Sequence, residues 1–307
     1  DAVRLVCVTL KSRCLTLNLI VVFCIVACSD NNTPAKPGSP DSNSDNAVLR
    51  LVTLSPHLAE LAWLVGAGHM LVGVSAYTDY PEEVTQLPAV GDAFALDLER
   101  LAILQPDLLL AWQSGTPVHI VDELQARGYR VETVKTENVA DVSVALRQIG
   151  ALTGFEENAA RVANEFAANM ATLAHQYESA ESISVFYQVS RRPLYTINNA
   201  HYVSDLINIC GARNVFADLG RLAPLIGVEA VLERNPEVLF ASGDVGKDAF
   251  ADWDRWPDLA ANRYANRFVM PANEIGRATP RLLIAAQAMC QALDQARMNR
   301  KAAHSPQ

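Results

Sequence analysis

Residues 99–112, ERLAILQPDLLLAW, align without gaps on residues 229–242, EAVLERNPEVLFAS. In each copy a short amphipathic stretch meets a proline and an acid, Pro106-Asp107 and Pro236-Glu237, and an unbroken apolar run follows. The residue before a proline is pushed out of the α region, so a helix ends there. A short apolar run without polar alternation reads as a strand buried on both faces, the habit of parallel sheets. Both copies set a glutamate ahead of the proline, Glu99 and Glu229, and a glycine just after the run, Gly115 and Gly243. Helix-turn-strand units recur by chance in α/β chains. A gapless pair is also what two lobes of one design produce.

Working outward, the same alternation continues on both sides. The first half carries apolar runs at 48–54, 71–75 and 129–134; the second carries them at 183–189, 194–197 (LYTI) and 267–271. Ser55-Pro56 opens a helix, serine being a preferred N-cap and proline fitting the first helical position. Gly66-Ala67-Gly68 closes that helix before a strand, the reverse of a dinucleotide loop, and so marks a turn. From Glu156 onward Ala160, Val162, Phe166, Met170 and Leu173 keep helical spacing without a proline, which predicts a long linking helix. The fold class expected is α/β: two αβ lobes, each with a mostly parallel sheet, joined by that helix. The lobes are placed at 48–138 and 181–298, with the helical link at 139–180, a last helix from Pro280 to about Met298 and a tail at 299–307.

With 307 residues, 50% of them hydrophobic and 19% charged, the chain has enough apolar matter for two modest cores. A formal net charge of -9, spread rather than blocked, excludes a nucleic-acid backbone as partner. Arg4, Lys11 and Arg13 precede an uncharged run, residues 14–27, too short to cross a bilayer and typical of a signal-peptide core. Its end, Ile25-Val26-Ala27-Cys28, resembles the bacterial lipobox, which implies cleavage before a lipidated Cys28. Residues 1–28 are therefore expected to be a lipoprotein signal peptide. Residues 29–47, rich in Ser, Asn, Asp and Pro, are expected to be a tether. Cys210 and Cys290 remain in the body, either as two buried thiols or, in an exported chain, as a disulfide.

Catalytic arrangements are not found in the sequence: no G-x-S-x-G, H-E-x-x-H, Walker loop or C-x-x-C. His57, His69, His119, His175, His201 and His304 lack metal-ligand spacing and are expected at the surface or in helix caps. What remains lies at predicted strand ends, where open α/β sheets bind ligands. Tyr77 and Tyr80 follow one strand, Trp112 closes another, and Asn273, Glu274, Ile275, Gly276 and Arg277 follow a third. Aromatics there either fill a core or wall a flat, weakly polar site suited to a planar or macrocyclic ligand.

The stretches VTLSPHLAELAWLVGAG, VGVSAYTDYPEEV, LERLAILQPDLLLAW, CGARNVF and RATPRLLIAAQAMCQAL together resemble the helical-backbone substrate-binding proteins of ABC importers, the group that binds cobalamin, haem and siderophores, and its cobalamin-binding branch above all. The likeness runs over residues 48–296. It implies a non-enzymatic receptor, without cofactor or metal, that captures cobalamin or a related corrinoid. The chain is then expected to be a lipid-anchored monomer of the periplasm or envelope that delivers its ligand to a permease dimer. Haem or an iron siderophore is the alternative ligand, and an envelope enzyme on the same frame is the alternative class. By the same resemblance Tyr77 and Trp112 contact the corrin, and residues 273–277 occupy a ligand-contacting loop of which only Arg277 matches. Ala223 and the neighbourhood of Ala93 and Phe94 stand where the family has tryptophans. Glu99 and Glu229 match lobe-tip glutamates that dock onto the permease, although acids at helix starts are favoured by the helix dipole without any partner. Cys210 and Cys290 match a disulfide pair.

Overall fold

The structure, a computed structural model, describes residues 48–92, 94–246 and 248–304. The expected signal peptide, the expected tether and Cys28 lie outside these residues. The chain order is β1 (Leu51–Thr53), α1 (Pro56–Val65), β2 (Leu71–Gly73), α2 (Leu98–Leu104), β3 (Leu108–Trp112), α3 (Val118–Ala126) and β4 (Val131–Val134). Then come α4 (Val139–Thr153) and α5 (Glu156–Tyr177). The second half runs β5 (Ser184–Gln188), α6 (Tyr202–Ile209), β6 (Arg213–Asn214), α7 (Val228–Arg234), β7 (Val238–Ser242), α8 (Ala260–Arg263), β8 (Arg267–Met270), α9 (Ala272–Ile275) and α10 (Leu282–His304).

Each half forms one four-stranded sheet, ordered β2-β1-β3-β4 and β6-β5-β7-β8, with every strand pair parallel. The two orders are the same once β1 is matched to β5 and β3 to β7. The sequence repeat is reproduced in detail. The helices α2 and α7 have seven residues each and end on residues in the left-handed conformation, Gln105 (φ 44°) and Asn235 (φ 42°). Each of these amides bonds back to the helix, to Leu101 and Val231 respectively. Each precedes the proline that prevents another helical turn.

The strands alternate between two cores. Leu108 and Leu110 of β3 and Val238 and Phe240 of β7 enter one apolar cluster shared by both lobes. Leu109 and Ala111, and likewise Leu239, face a smaller cluster private to each lobe. The shared cluster includes α1, α4, α5, α6 and α10. The lobes are thus fastened by a common helical core rather than by a flexible strand hinge.

Three expectations are corrected. The helical link is two helices, broken at Gly154 (φ 80°); at Gly150 a Cβ would lie 2.3 Å from that of Ala159, so α4 and α5 pack backbone to backbone. The run 194–197 is not a strand: Tyr195 makes only isolated bridges to Ser190 and Leu225. The fourth strand of the C-terminal sheet is instead Arg213–Asn214. Finally, the last helix does not stop near Met298 but reaches His304, so residues 299–304 are not a tail. Polar anchors hold this end: Asn299 donates to Asn266 at 2.9 Å, and Arg300 donates to Glu237 at 2.8 Å and to the Ser182 carbonyl. Cys210, capping α6, is disulfide-bonded to Cys290 on α10 across 80 residues of sequence.

Candidate ligand cleft

The loops leaving the C-terminal ends of β1, β2 and β3 wall a cavity of about 430 Å³. Its lining is mostly apolar: Leu54, Pro56, Ala76, Tyr77, Phe94 and Trp112, with Ser55, Ser75, Asp92 and Thr116 at its polar edges. Tyr77 and Phe94 are 80% and 89% exposed, which is unusual for large apolar rings with core available below them. Their backbones are tied together. Ala76 donates to the Gly91 carbonyl at 2.7 Å, and the Asp92 carboxylate accepts the amides of Phe94 and Ala95 at 2.8 and 2.9 Å. Tyr77 has a φ of 64°, a conformation that costs a non-glycine residue on the order of 1 kcal/mol and concentrates at functional sites.

Trp112 is held more firmly. Its amide donates to Thr116 Oγ1 at 3.0 Å, and its carbonyl accepts from Thr116 N at 2.8 Å. Its ring lies across Gly115, where a Cβ would come within 1.8 Å of Cε3. The indole Nε1–H is shut off from solvent with no acceptor among the described residues, an arrangement that costs about 1–3 kcal/mol.

His57 corrects an expectation: it is buried beneath the cleft rather than at the surface. It meets the Trp112 ring edge-on at 5.1 Å, with Nδ1 2.8 Å from Ser55 Oγ and Nε2 3.3 Å from Thr136 Oγ1. Burial first, then the positive charge of Arg277, lowers its pKa to about 3, so it is neutral at any ordinary pH. A charge-neutral, fully bonded imidazole is a support for Trp112, not an acid or base.

A second, smaller cavity of about 160 Å³ is lined from both lobes, by Ser55, His57, Trp112 and Thr136 on one side and Tyr202, Gly276 and Arg277 on the other. Arg277 bridges the lobes, pairing with Asp79 and donating to the Tyr77 carbonyl at 3.3 Å. Its hydrogen bond holds the Asp79 carboxyl below the usual carboxylate range. Arg281 makes a second bridge. Its Nε and Nη2 reach both oxygens of the fully buried Glu60, its guanidinium stacks 4.1 Å over Tyr80, and Nη1 lies 3.6 Å from Glu274. Of the loop 273–277, Asn273 and Gly276 are exposed, Glu274 and Arg277 are half-buried, and Ile275 is in the shared core, its carbonyl accepting from Tyr202 at 3.0 Å.

Glu99 and Glu229 stand exposed in the first turns of α2 and α7, outside the two cavities above, and Glu229 lines a separate surface cavity beside Arg191 and Arg192. The sequence reading passed over Glu60, Asp79 and Arg281. The signal available for Glu60 was a lone carboxylate in the apolar helical run LAELAWLV.

Two like lobes, bridged by Arg277 and Arg281, with an aromatic cavity at the strand ends of one and a smaller cavity lined by both beside it, have the build of a two-lobed binding protein. The chain belongs to the periplasmic binding protein family, whose sequence pattern matches residues 51–274 and whose members are non-enzymatic transport components. It is 31% identical over 261 residues to the vitamin B12-binding protein of Vibrio parahaemolyticus, covering 84% of this chain and 94% of that one. It is 34% identical over 248 residues to the vitamin B12-binding protein of Pectobacterium carotovorum, covering 80% and 88%. Among solved structures, the periplasmic vitamin B12 binding protein of Vibrio cholerae superposes with a TM-score of 0.74 at 30% identity, over 81% of this chain and 97% of that chain. A haem-binding protein from Roseiflexus, 21% identical with a TM-score of 0.71 over 81% and 99% of the two chains, shares the fold.

Proposed function

We propose that this chain captures cobalamin or a related corrinoid in the cleft between its lobes and hands it to the permease dimer of an ABC importer. The observation that carries the reading is the pair of exposed rings, Tyr77 and Phe94, set with Trp112 around one apolar cavity. Flat rings on a rigid wall bind a flat ligand with little loss of side-chain entropy. The vitamin B12-binding relatives align over the body of the chain and support the same ligand. Gly276 and Arg277 line the smaller cavity that shares Ser55, Pro56 and Trp112 with the aromatic one, which supports a part in binding for the loop 273–277.

Glu99 and Glu229, at equivalent places in the two lobes, serve as docking points for a two-fold symmetric permease. A lipid on Cys28 and the polar segment after it tether the body in the periplasm. Haem is the second reading, because the aromatic wall selects for flatness and not for the metal or ring system. Isothermal titration with cobalamin, haem and a siderophore panel tests the assignment. Saturable binding of cobalamin in preference to the other two is expected, and preference for a siderophore would overturn it.

A further inference from the structure

The repeat relates not only the two sheets but the loops that leave equivalent strand ends of the two lobes, and those loops differ in chemistry. In the N-terminal lobe, the loops after β1 and β3 contribute Leu54, Ser55, Trp112 and Gly115 to the aromatic cavity. The matching strands of the other lobe are β5 and β7. The loops after them contribute Val189, Ser190, Arg191, Arg192, Asp244 and Val245 to a cavity of about 340 Å³. Where one wall offers aromatic rings, the other offers two guanidinium groups.

These arginines are held in place from behind. Asp252 accepts Nε and Nη2 of Arg191 at 3.1 and 3.0 Å, and Nη2 of Arg192 at 2.6 Å. Asp252 is fixed in turn by its neighbour: Trp253 is buried, and its Nε1–H donates at 2.8 Å to Gln188, the last residue of β5. Gln188 also donates to the Ala249 carbonyl at 2.7 Å. Asp252 lines the adjoining cavity and not this one; both arginines reach that cavity too, where Glu229 and Arg255 join them. One carboxylate therefore serves two guanidinium groups. Among the described residues, Nη1 of Arg191 and Nε and Nη1 of Arg192 have no protein acceptor. The wall also carries Asp244, whose carboxylate accepts from Ser242 at 3.4 Å, so the groups facing the cavity sum to one positive charge.

We propose that Arg191 and Arg192 form an anion subsite for the edge of the ligand, so that a flat macrocycle lies against Tyr77, Phe94 and Trp112 while a phosphate or carboxylate on its periphery meets the arginine pair. Planar guanidinium groups with free N–H donors match such oxyanions in geometry and charge. This rests on the reading of the cleft as a macrocycle site and adds to it a preference for ligands with an acidic edge.

The test is a titration of the wild-type chain, Arg192→Gln, Arg191→Gln/Arg192→Gln and Asp244→Asn with three probes. Cyanocobalamin carries a phosphodiester, dicyanocobinamide keeps the corrin and its amides but lacks the nucleotide and phosphate, and haemin carries two carboxylates. Wild type is expected to bind cyanocobalamin at least about 10-fold more tightly than dicyanocobinamide, the scale of a charge-assisted hydrogen bond. The double variant should lose that advantage, with dicyanocobinamide affinity little changed, and Asp244→Asn should increase it. Arg192→Gln leaves the Arg191–Asp252 pair intact and should show part of the loss with an unchanged thermal midpoint, which separates binding from folding. Equal affinity of wild type for the two corrinoids, or equal losses for both in the variants, would overturn the subsite while leaving the corrinoid reading standing. Binding of haemin alone, weakened by the same variants, would uphold the subsite with carboxylate as the anion and remove the corrinoid reading. Absence of binding by all three probes would overturn both.

Discussion

Arg281, just before α10, closes on Glu60 of α1 with both carboxylate oxygens engaged, at 2.9 and 2.8 Å, and so joins the lobes by a buried ion pair between residues 221 positions apart. Stacking of the same guanidinium on Tyr80 adds an aromatic face to the contact. A charge such as that of Glu60, fully buried, is tolerated only while its partner stays. Glu60→Gln and Arg281→Met are each expected to lower unfolding free energy by about 3–5 kcal/mol, and the double variant by less than the sum. Urea denaturation of the cycle measures this. Single variants within about 0.5 kcal/mol of wild type would show that the pair does not fasten the lobes.

Acid should loosen the fold at a pH above the ordinary carboxylate range. His57 is buried and His201 partly so, and desolvation lowers their pKa values to about 3 and about 4, so the folded chain keeps both neutral well below the pH at which the unfolded chain protonates them. Below about pH 6.5 the unfolded state binds more protons, and stability falls as pH falls, by about 1.4 kcal/mol per unit for each histidine. Between pH 6.5 and 4.5 the two together should cost about 5 kcal/mol, with His57→Gln removing roughly half of the slope. Asp79 and Asp252, held low by arginines, add their losses only under the ordinary carboxylate range. Denaturant midpoints across this window give the slope directly, and a flat profile would sink the argument.

Gly115 has no side chain because Trp112 occupies the space one would need. Its φ is not in the left-handed region, so an alanine there is acceptable to the backbone and unacceptable only to the indole. Gly115→Ala should turn the ring out of its place between His57 and the cavity and weaken ligand binding about 10-fold or more, with the fold retained. Intrinsic tryptophan fluorescence would report the displaced ring, and titration the affinity. An unchanged affinity with a shifted spectrum would show that the ring is not part of the site.

What was legible in the sequence was local. The repeat at 99–112 and 229–242 could be read because a proline, an apolar run and a glycine each act on their own neighbourhood, and the structure repeats them down to the left-handed Gln105 and Asn235. Tyr77 and Trp112 were legible as strand-end aromatics. LYTI misled because alternating β-formers fit a short loop as well as a strand, and Arg213–Asn214 was too short to leave a period. The end of α10 was hidden because residues 299–304 are held by polar anchors and not by an apolar stripe. Glu60 with Arg281, and Asp79 with Arg277, were hidden for another reason: each pair unites distant segments, and no local pattern marks a partner in the other lobe.

Glu99 and Glu229 offer the sharpest separation of a local role from a partner's. Both are exposed first-turn acids on helices that the repeat makes equivalent. If they serve only the helix dipole, each contributes about 0.3–1 kcal/mol to stability and nothing else. If they dock on a two-fold partner, reversing both charges should abolish transport while the cleft keeps its affinity, since neither residue lines the aromatic cavity. Glu99→Arg/Glu229→Arg is therefore expected to bind ligand within about 2-fold of wild type, a difference near 0.4 kcal/mol, and to fail in uptake by cells lacking the native copy of the chain. Single reversals should fall between, because each leaves one lobe able to engage. Uptake at the wild-type rate by the double variant would return both glutamates to the helix-dipole role and leave the docking surface elsewhere on the lobes.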